Sequence, residues 1–293
     1  MPKNTVTGIY KSDREIIDYG VQLIGAPLER KETMGEGIRV GVIDTGADVN
    51  HPDLKDRIAE YINFSGDGTL KDLSGHGTHV CGIIAASYNG IGVIGVAPKC
   101  DLYVAKAFNS DGSGSSKAIA DSLKWLISKK VHIINMSFGS DKPSELIYTE
   151  IKKAYENGIV LVAAAGNDGT DGSVGYPAKW DEVIAVTAVD FDMRFAGFSS
   201  SGKEACISAA GKEIYSTYPG GGYKRLSGTS MAAPMISGAA ALLQSKAERR
   251  FSRILTPREM ELLLYMYADD YGKDGKDDRF GYGVFSFGRI NSK

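Results

Sequence analysis

Short apolar runs rich in β-branched residues recur along this chain and constrain its fold more than any other feature. They cover residues 38–43, 101–107, 132–137, 159–165 and 183–189. Each is short for a helix, and none alternates apolar with polar residues. A strand without alternation is buried on both faces, as in a parallel sheet. Stretches of helical spacing lie between the runs. Residues 117–130 carry Ile119, Leu123, Leu126 and Ile127 on one face, and residues 143–157 run into Asn157-Gly158, a helix stop signal. Strands alternating with helices predict an α/β fold of three layers, α/β/α, around a mostly parallel central sheet.

The length of 293 residues suits one large α/β domain or two small ones. With 34 Lys and Arg against 36 Asp and Glu, the net charge is −2. A nucleic-acid binder needs a surplus of cations, so that class is excluded. The apolar runs fall well short of the ~18 residues that a membrane helix needs. The polar start, MPKNTVTGIYKSDREIIDYG, holds no signal-peptide core. Cys81, Cys100 and Cys206 cannot all pair, which argues against a disulfide framework. The expectation is a cytoplasmic protein with no membrane partner.

Three segments carry chemistry. Val42-Ile43-Asp44-Thr45-Gly46 puts an acid at the C-terminal end of a strand, where open α/β sheets gather ligands. Alone, Asp44 would pass for a turn residue. Gly75-His76-Gly77-Thr78-His79-Val80 places two histidines on one helical face but lacks the spacing and the glutamate of a zinc helix. The glycines around His76 predict a crowded backbone and an exposed ring, and His79 reads as a hydrogen-bonded structural histidine. Gly228-Thr229-Ser230-Met231-Ala232-Ala233-Pro234 reads as a loop entering a buried helix, with Ser230 at the positive end of its dipole. A serine hydroxyl is a weak nucleophile until an imidazole takes its proton, and a carboxylate must hold that imidazole. The chain offers one candidate for each role, in the order Asp, His, Ser, a known order of this triad.

VIDTG, GHGTHV and GTSMAAP resemble the three active-site blocks of the subtilisin-like serine proteases, and the likeness runs from about residue 19 to residue 243. It implies a subtilisin-like fold and hydrolysis of protein or peptide substrates through an acyl-enzyme. Asp44 would orient the ring, His76 would act as general base and acid, and Ser230 would be the nucleophile. Ala163-Ala164-Ala165-Gly166-Asn167 matches the oxyanion block, so the resemblance makes Asn167 a donor, together with the Ser230 N–H. Gly112-Ser113-Gly114 and Ser137-Phe138-Gly139 match the edges on which an extended substrate adds as a strand. The first pocket would be lined by Ser137, Phe138, Gly139, Ala164, Ala165, Gly166 and Gly175. These small residues leave room for a large apolar side chain. Asp168 would sit at the rim, with Phe108 and Ser116 near the second and fourth pockets.

Gly90-Ile91-Gly92-Val93-Ile94-Gly95 satisfies a nucleotide-binding pattern but follows a helix and precedes Val96-Ala97-Pro98, so that reading fails. The same stretch resembles the family's calcium loop. That implies Ca2+ held by the side chains of Asp53 and Asn89 and the carbonyls of Ser87, Ile91 and Val93, with Glu15 as a further ligand. Cys81, one turn beyond His76, reads as a small buried residue. The acidic stretch 270–278 lacks the order of an EF-hand and reads as a solvated turn.

The short polar start and the charged stretch 248–259 resemble the intracellular subtilisins. The resemblance implies an N-terminal extension at 1–18, a peptidase domain at 19–293, and a homodimer. It also implies that the extension acts as an inhibitor, is removed by self-processing, and has Gly8-Ile9-Tyr10 at its blocking turn. Ile9 stands where that branch carries proline. The alternative is a silent relative that binds peptides or a regulatory partner in the same groove. The presence of Asp44, His76, Ser230 and Asn167 together counts against it.

Overall fold

The structure is a computed structural model that describes residues 7–10 and 14–288. The elements, in chain order, begin with β1 (Thr7–Tyr10), α1 (Tyr19–Leu23), α2 (Ala26–Glu29), β2 (Arg39–Asp44), β3 (Ile58–Asn63) and α3 (His76–Ala85). Then come β4 (Asp101–Lys106), α4 (Ser116–Ser128), β5 (Ile133–Met136), α5 (Glu145–Glu156), β6 (Val160–Ala164), β7 (Ile184–Val189) and β8 (Ile207–Ala210). The chain closes with β9 (Ile214–Tyr218), β10 (Gly222–Leu226), α6 (Thr229–Phe251), α7 (Pro257–Met266), β11 (Ala268–Asp269) and β12 (Val284–Phe285).

A nine-stranded sheet has the order β11-β12-β8-β7-β6-β5-β2-β4-β3 and is parallel except for the β11–β12 pair. Its strands are apolar on both faces because both faces are covered. Val40, Val42, Val160, Val162 and Val186 pack with α3 and α6 in one core, whereas Ile43, Leu161, Ala163 and Ala185 pack with α4 and α5 in another. The expected three-layer α/β fold is the fold observed. The chain leaves β2 for the β3–β4 side and later crosses to β5 on the other side. The C-terminal end of β2 is therefore the point where strand order reverses, the usual ligand crevice of such sheets.

The C-terminal part is integral to this sheet rather than an appendage. Thr256-Pro257-Arg258-Glu259 forms a capping box that starts α7, and β12 adds in parallel to β8. The 270–278 stretch is a self-satisfied turn, in which the Asp277 carboxylate accepts from the backbone N–H groups of Lys273, Arg279 and Phe280.

A second sheet of order β1-β10-β9 packs on α3. His79 Nε2 donates to the carbonyls of both Ile214 and Lys224 at 3.0 Å, pinning the β9–β10 hairpin to the helix. Burial holds the His79 pKa down to about 3, so the ring is a neutral structural donor. Residues 7–10, expected at a turn, are a strand in which Thr7 faces Arg225 and Tyr10 faces Tyr223. The free edge of β10 explains this, because an unpaired edge takes up any extended segment beside it. The remainder of the expected inhibitory segment, 1–6 and 11–13, lies outside the described residues.

Candidate active site

Asp44 ends β2, and His76 is the first residue of α3. Glycine brings them together. Gly75 has φ +82°, and a Cβ there would lie 2.3 Å from the Tyr218 ring; one on Gly77 would lie 2.0 Å from the Gly46 carbonyl. The exit of β2 and the start of α3 thus touch backbone to backbone. His76 Nδ1 donates to Asp44 Oδ1 at 2.7 Å, with both residues buried; the ring expected to be exposed is covered, because the close backbone contact draws it in against Asp44. A neutral ring with its hydrogen on Nδ1 keeps a lone pair on Nε2. Burial works against the charged ring, but the Asp44 carboxylate, its hydrogen bond and the more distant Asp72 outweigh it and raise the His76 pKa.

Asp72 is a site residue that the sequence reading missed. Its carboxylate accepts from Thr45 Oγ1 at 2.9 Å, Gly75 N at 2.8 Å, Thr78 N at 2.8 Å and Thr78 Oγ1 at 2.6 Å. It therefore ties the residue after Asp44 to the first turn of α3, where a negative charge also favours the helix dipole. Behind it, fully buried Lys106 donates to the carbonyls of Thr45 and Lys71 and pairs with Asp67 at 2.9 Å. In a polar loop such an aspartate carries no periodic signal; its role rests on backbone partners.

Asp72→Asn yields an expected result with a definite sign. A nearby carboxylate favours the imidazolium, so removing its charge lowers the His76 pKa. The acid limb of kcat/KM then moves to lower pH, by about 0.5–1 unit. A pH–rate profile reads this directly, and an unmoved limb would leave Asp72 only a scaffold role.

Ser230 is the second residue of α6, where the first N–H groups have no intrahelical partner. Its hydroxyl donates to the Ser137 carbonyl at 3.1 Å. Pro234 lies four residues further on and has no N–H for the Ser230 carbonyl. Ser137 Oγ supplies the missing donor at 2.9 Å, held in turn by Asn135 Nδ2, while Asn135 Oδ1 takes the Ser237 hydroxyl. This buried relay locks the start of α6 to the end of β5. On the other side, Asn167 Oδ1 accepts from Thr229 N at 2.9 Å and Thr229 Oγ1 at 3.1 Å, leaving the amide NH2 for the cleft.

His76, Asn167 and Ser230 line one cleft of about 340 Å³ together with Gly112, Ser137, Phe138, Gly139, Ala164, Gly166, Asp168 and Gly175. Ala165 is a correction. It is absent from the cleft lining and fully buried in the core beneath α4 and α5, because the residue just past β6 continues the alternation and falls on the Ala163 side rather than the Ala164 side. Ser113, Gly114 and Ser116 line a neighbouring cavity of about 340 Å³ with Ile147 and Trp180. The Phe108 and Phe138 rings, 4.9 Å apart, border both. Met231 and Thr229 also line the cleft and were not foreseen. Cys81 is fully buried, and burial pushes its thiol well above its usual pKa, which disfavours the reactive thiolate.

The residues expected around a cation do converge. Asp53 Oδ2 accepts from Val93 N and from Tyr223 Oη, each at 3.0 Å, and Asp53 Oδ1 accepts from Asn89 Nδ2 at 3.0 Å. Glu15 Oε1 accepts from the N–H groups of Asn89 and Gly90 at 3.0 and 3.1 Å. Asp53, Asn89 and Glu15 thus meet at the 89–93 loop, where their side-chain oxygens accept from N–H and O–H groups. The Asn89 amide presents its nitrogen to Asp53 and its oxygen to Ile91 N, so ligation by Asn89 requires that amide to turn over.

Comparison with known proteins agrees with this geometry. The model of a family described as "Subtilase family" matches residues 35–283, well past the end of the likeness read from the motifs. An intracellular serine protease of Paenibacillus polymyxa is 42% identical over 86% of this chain and 81% of its own length. Subtilisin DY of Bacillus licheniformis is 46% identical over 79% of this chain and 86% of its own. A thermostable alkaline protease of Halalkalibacterium halodurans is 41% identical over 94% of this chain and 73% of its own.

Proposed function

The chain belongs to the subtilase family and is a subtilisin-type serine protease, and from that premise we propose that it is an endopeptidase whose acyl-enzyme forms on Ser230. The observation that carries the reading is the 2.7 Å bond from His76 Nδ1 to Asp44 beside a cleft that also holds Ser230 and Asn167. His76 Nε2 takes the Ser230 proton as Oγ attacks the scissile carbonyl, and Asp44 stabilises the imidazolium that results. The Asn167 NH2 and the Ser230 N–H hold the oxyanion. The imidazolium then protonates the leaving amine, and water repeats the sequence to release the acyl group. The substrate backbone lies along 112–114 and 137–139. Walls of Ala164, Gly166 and Gly175 favour a large apolar residue before the cut.

The all-oxygen set of Asp53, Asn89, Glu15 and the carbonyls of Ser87, Ile91 and Val93 fits Ca2+ as a structural ion. When bound, the ion supplies positive charge that holds the loop between α3 and β4. A ligand present at about 1,000 times its Kd stabilises by about 4 kcal/mol. Chelation of Ser230→Ala protein, which cannot digest itself, should therefore lower Tm by roughly 10 °C. Calcium should restore it. An unchanged Tm would remove the ion from the account.

The intracellular relative supports a cytoplasmic location, and the resemblance of the polar start to the intracellular subtilisins is the ground for an N-terminal segment that restrains the enzyme until it is cut off. The test follows casein hydrolysis by freshly made full-length protein and by a form lacking residues 1–13, which keeps Glu15, with mass spectrometry of the N-terminus. Activity that appears as the first residues are lost supports the reading. Equal activity of both forms from the start removes the inhibitory role, and no hydrolysis by either sinks the endopeptidase.

A further inference from the structure

The catalytic cleft lies at the C-terminal end of β2. The strand's other end opens on a second cavity, of about 440 Å³. Arg39 is the first residue of β2 and Asp44 the last, so the two sites lie about 16 Å apart along the strand. Arg39, Lys130 and His132 line this cavity, with no Asp or Glu among its lining residues. None of the three forms an ion pair among the described residues, in a protein of net charge −2. The nearby Arg253 is consumed by Glu259, at 2.8 and 2.9 Å, and the Glu259 side chain also caps α7.

The side chains of Arg39 and His132 face one another, donor to donor, without an acceptor. The Arg39 backbone N–H donates to His132 Nδ1 at 3.0 Å, which fixes the hydrogen of a neutral ring on Nε2. Arg39 Nη2 lies 3.5 Å from that Nε2. Burial and the Arg39 charge push the His132 pKa down to about 4, so the ring is neutral at pH 7. An N–H therefore meets an N–H. The guanidinium is held from behind by its Nε, which donates to the Lys130 carbonyl at 3.0 Å. The rest of the wall is mixed: Ile127, Val131, Ile159, Ile254 and Leu255 form its apolar part, and Asn157 and Thr256 are polar.

We infer that this cavity binds a carboxylate carried on an apolar body. The carboxylate sits between Arg39 Nη2 and His132 Nε2 with Lys130 beside it, and the body lies against Ile127, Ile159 and Leu255. An anionic oxygen accepts from both facing donors at once and neutralises cations that nothing else pairs. A bare anion would leave the apolar wall uncovered, and an apolar molecule would leave the donors facing one another. Two sources share this chemistry, a short fatty acid and the C-terminus of a peptide ending in an apolar residue. The second is what a cut after a large apolar residue leaves behind.

The test is calorimetric titration of full-length Ser230→Ala protein with hexanoate, N-acetyl-leucine, hexanol and inorganic phosphate. Hexanoate is expected to bind with Kd of about 1 mM, a reasonable strength for so few atoms. Hexanol and phosphate should each bind at least about tenfold more weakly, as should hexanoate to Arg39→Gln. Lys130→Gln, on the exposed rim, should weaken hexanoate about threefold and serves if Arg39→Gln does not fold. N-acetyl-leucine binding as tightly as hexanoate assigns the site to peptide ends, and hexanoate alone assigns it to fatty acids. Hexanol binding as well as hexanoate, or hexanoate affinity unchanged in both variants, overturns the proposal. Unchanged affinity would also place any carboxylate in the catalytic cleft, so this test stands apart from the protease reading.

Discussion

Ser230→Ala leaves a folded protein whose kcat on a peptide anilide falls about 10⁶-fold, the loss known for subtilisin itself, a member of this family, and carried over from it. The physical reason is that the triad acts as a unit. Without Oγ there is no acyl-enzyme, and the His76–Asp44 pair has no proton to take. The double variant Ser230→Ala/His76→Ala should therefore be no slower than Ser230→Ala alone. The fold should survive, because Oγ makes one hydrogen bond, to the Ser137 carbonyl, with a net worth of about 1 kcal/mol. Circular dichroism and Tm check that point. A loss below about 100-fold would move the nucleophile elsewhere.

Asn167→Leu should lower kcat about 10²–10³-fold with KM nearly unchanged, a magnitude also measured in subtilisin and carried over from it. The amide NH2 grips the oxygen only when it carries the developing charge, so ground-state binding is spared. Leucine also removes the acceptor for Thr229 N and Oγ1. Asn167→Asp separates the two effects, since it keeps an oxygen for Thr229 but has no donor for the oxyanion. Both variants should be slow. Recovery of kcat in Asn167→Asp would show that the asparagine serves only to position Thr229, and a raised KM with normal kcat would make it a ground-state contact.

The sheet and the triad were legible because each leaves a local trace. Runs such as 159–165 are apolar at every position, as a strand covered on both faces requires, whereas the order in which β5, β6 and β7 pair came only from the structure. β3 was not legible, because an edge strand with exposed positions lacks that pattern. Nor was β12, only two residues long, which joins the sheet through its parallel partner β8. The start of α7 could have been read from Thr256-Pro257-Arg258-Glu259, whose capping box is a sequence signal. Ala165 was placed at the pocket by the family resemblance as part of one segment, 164–166, whereas its side chain lies in the core. Asp72, Tyr223 and the Asn135–Ser137–Ser230 relay were invisible for another reason. Each acts on backbone groups or on side chains distant in sequence, and only the fold brings those partners together.

The most direct test of the central claim is covalent labelling by a fluorophosphonate, which reacts with serines whose nucleophilicity a neighbouring base has raised. Protein lacking residues 1–13, which keeps Glu15, would be treated with the probe and mapped by mass spectrometry. The account predicts a single adduct on Ser230, lost in His76→Ala and in Asp44→Ala proteins that remain folded. An adduct on another serine, or equal labelling of Ser230 without His76, would contradict it.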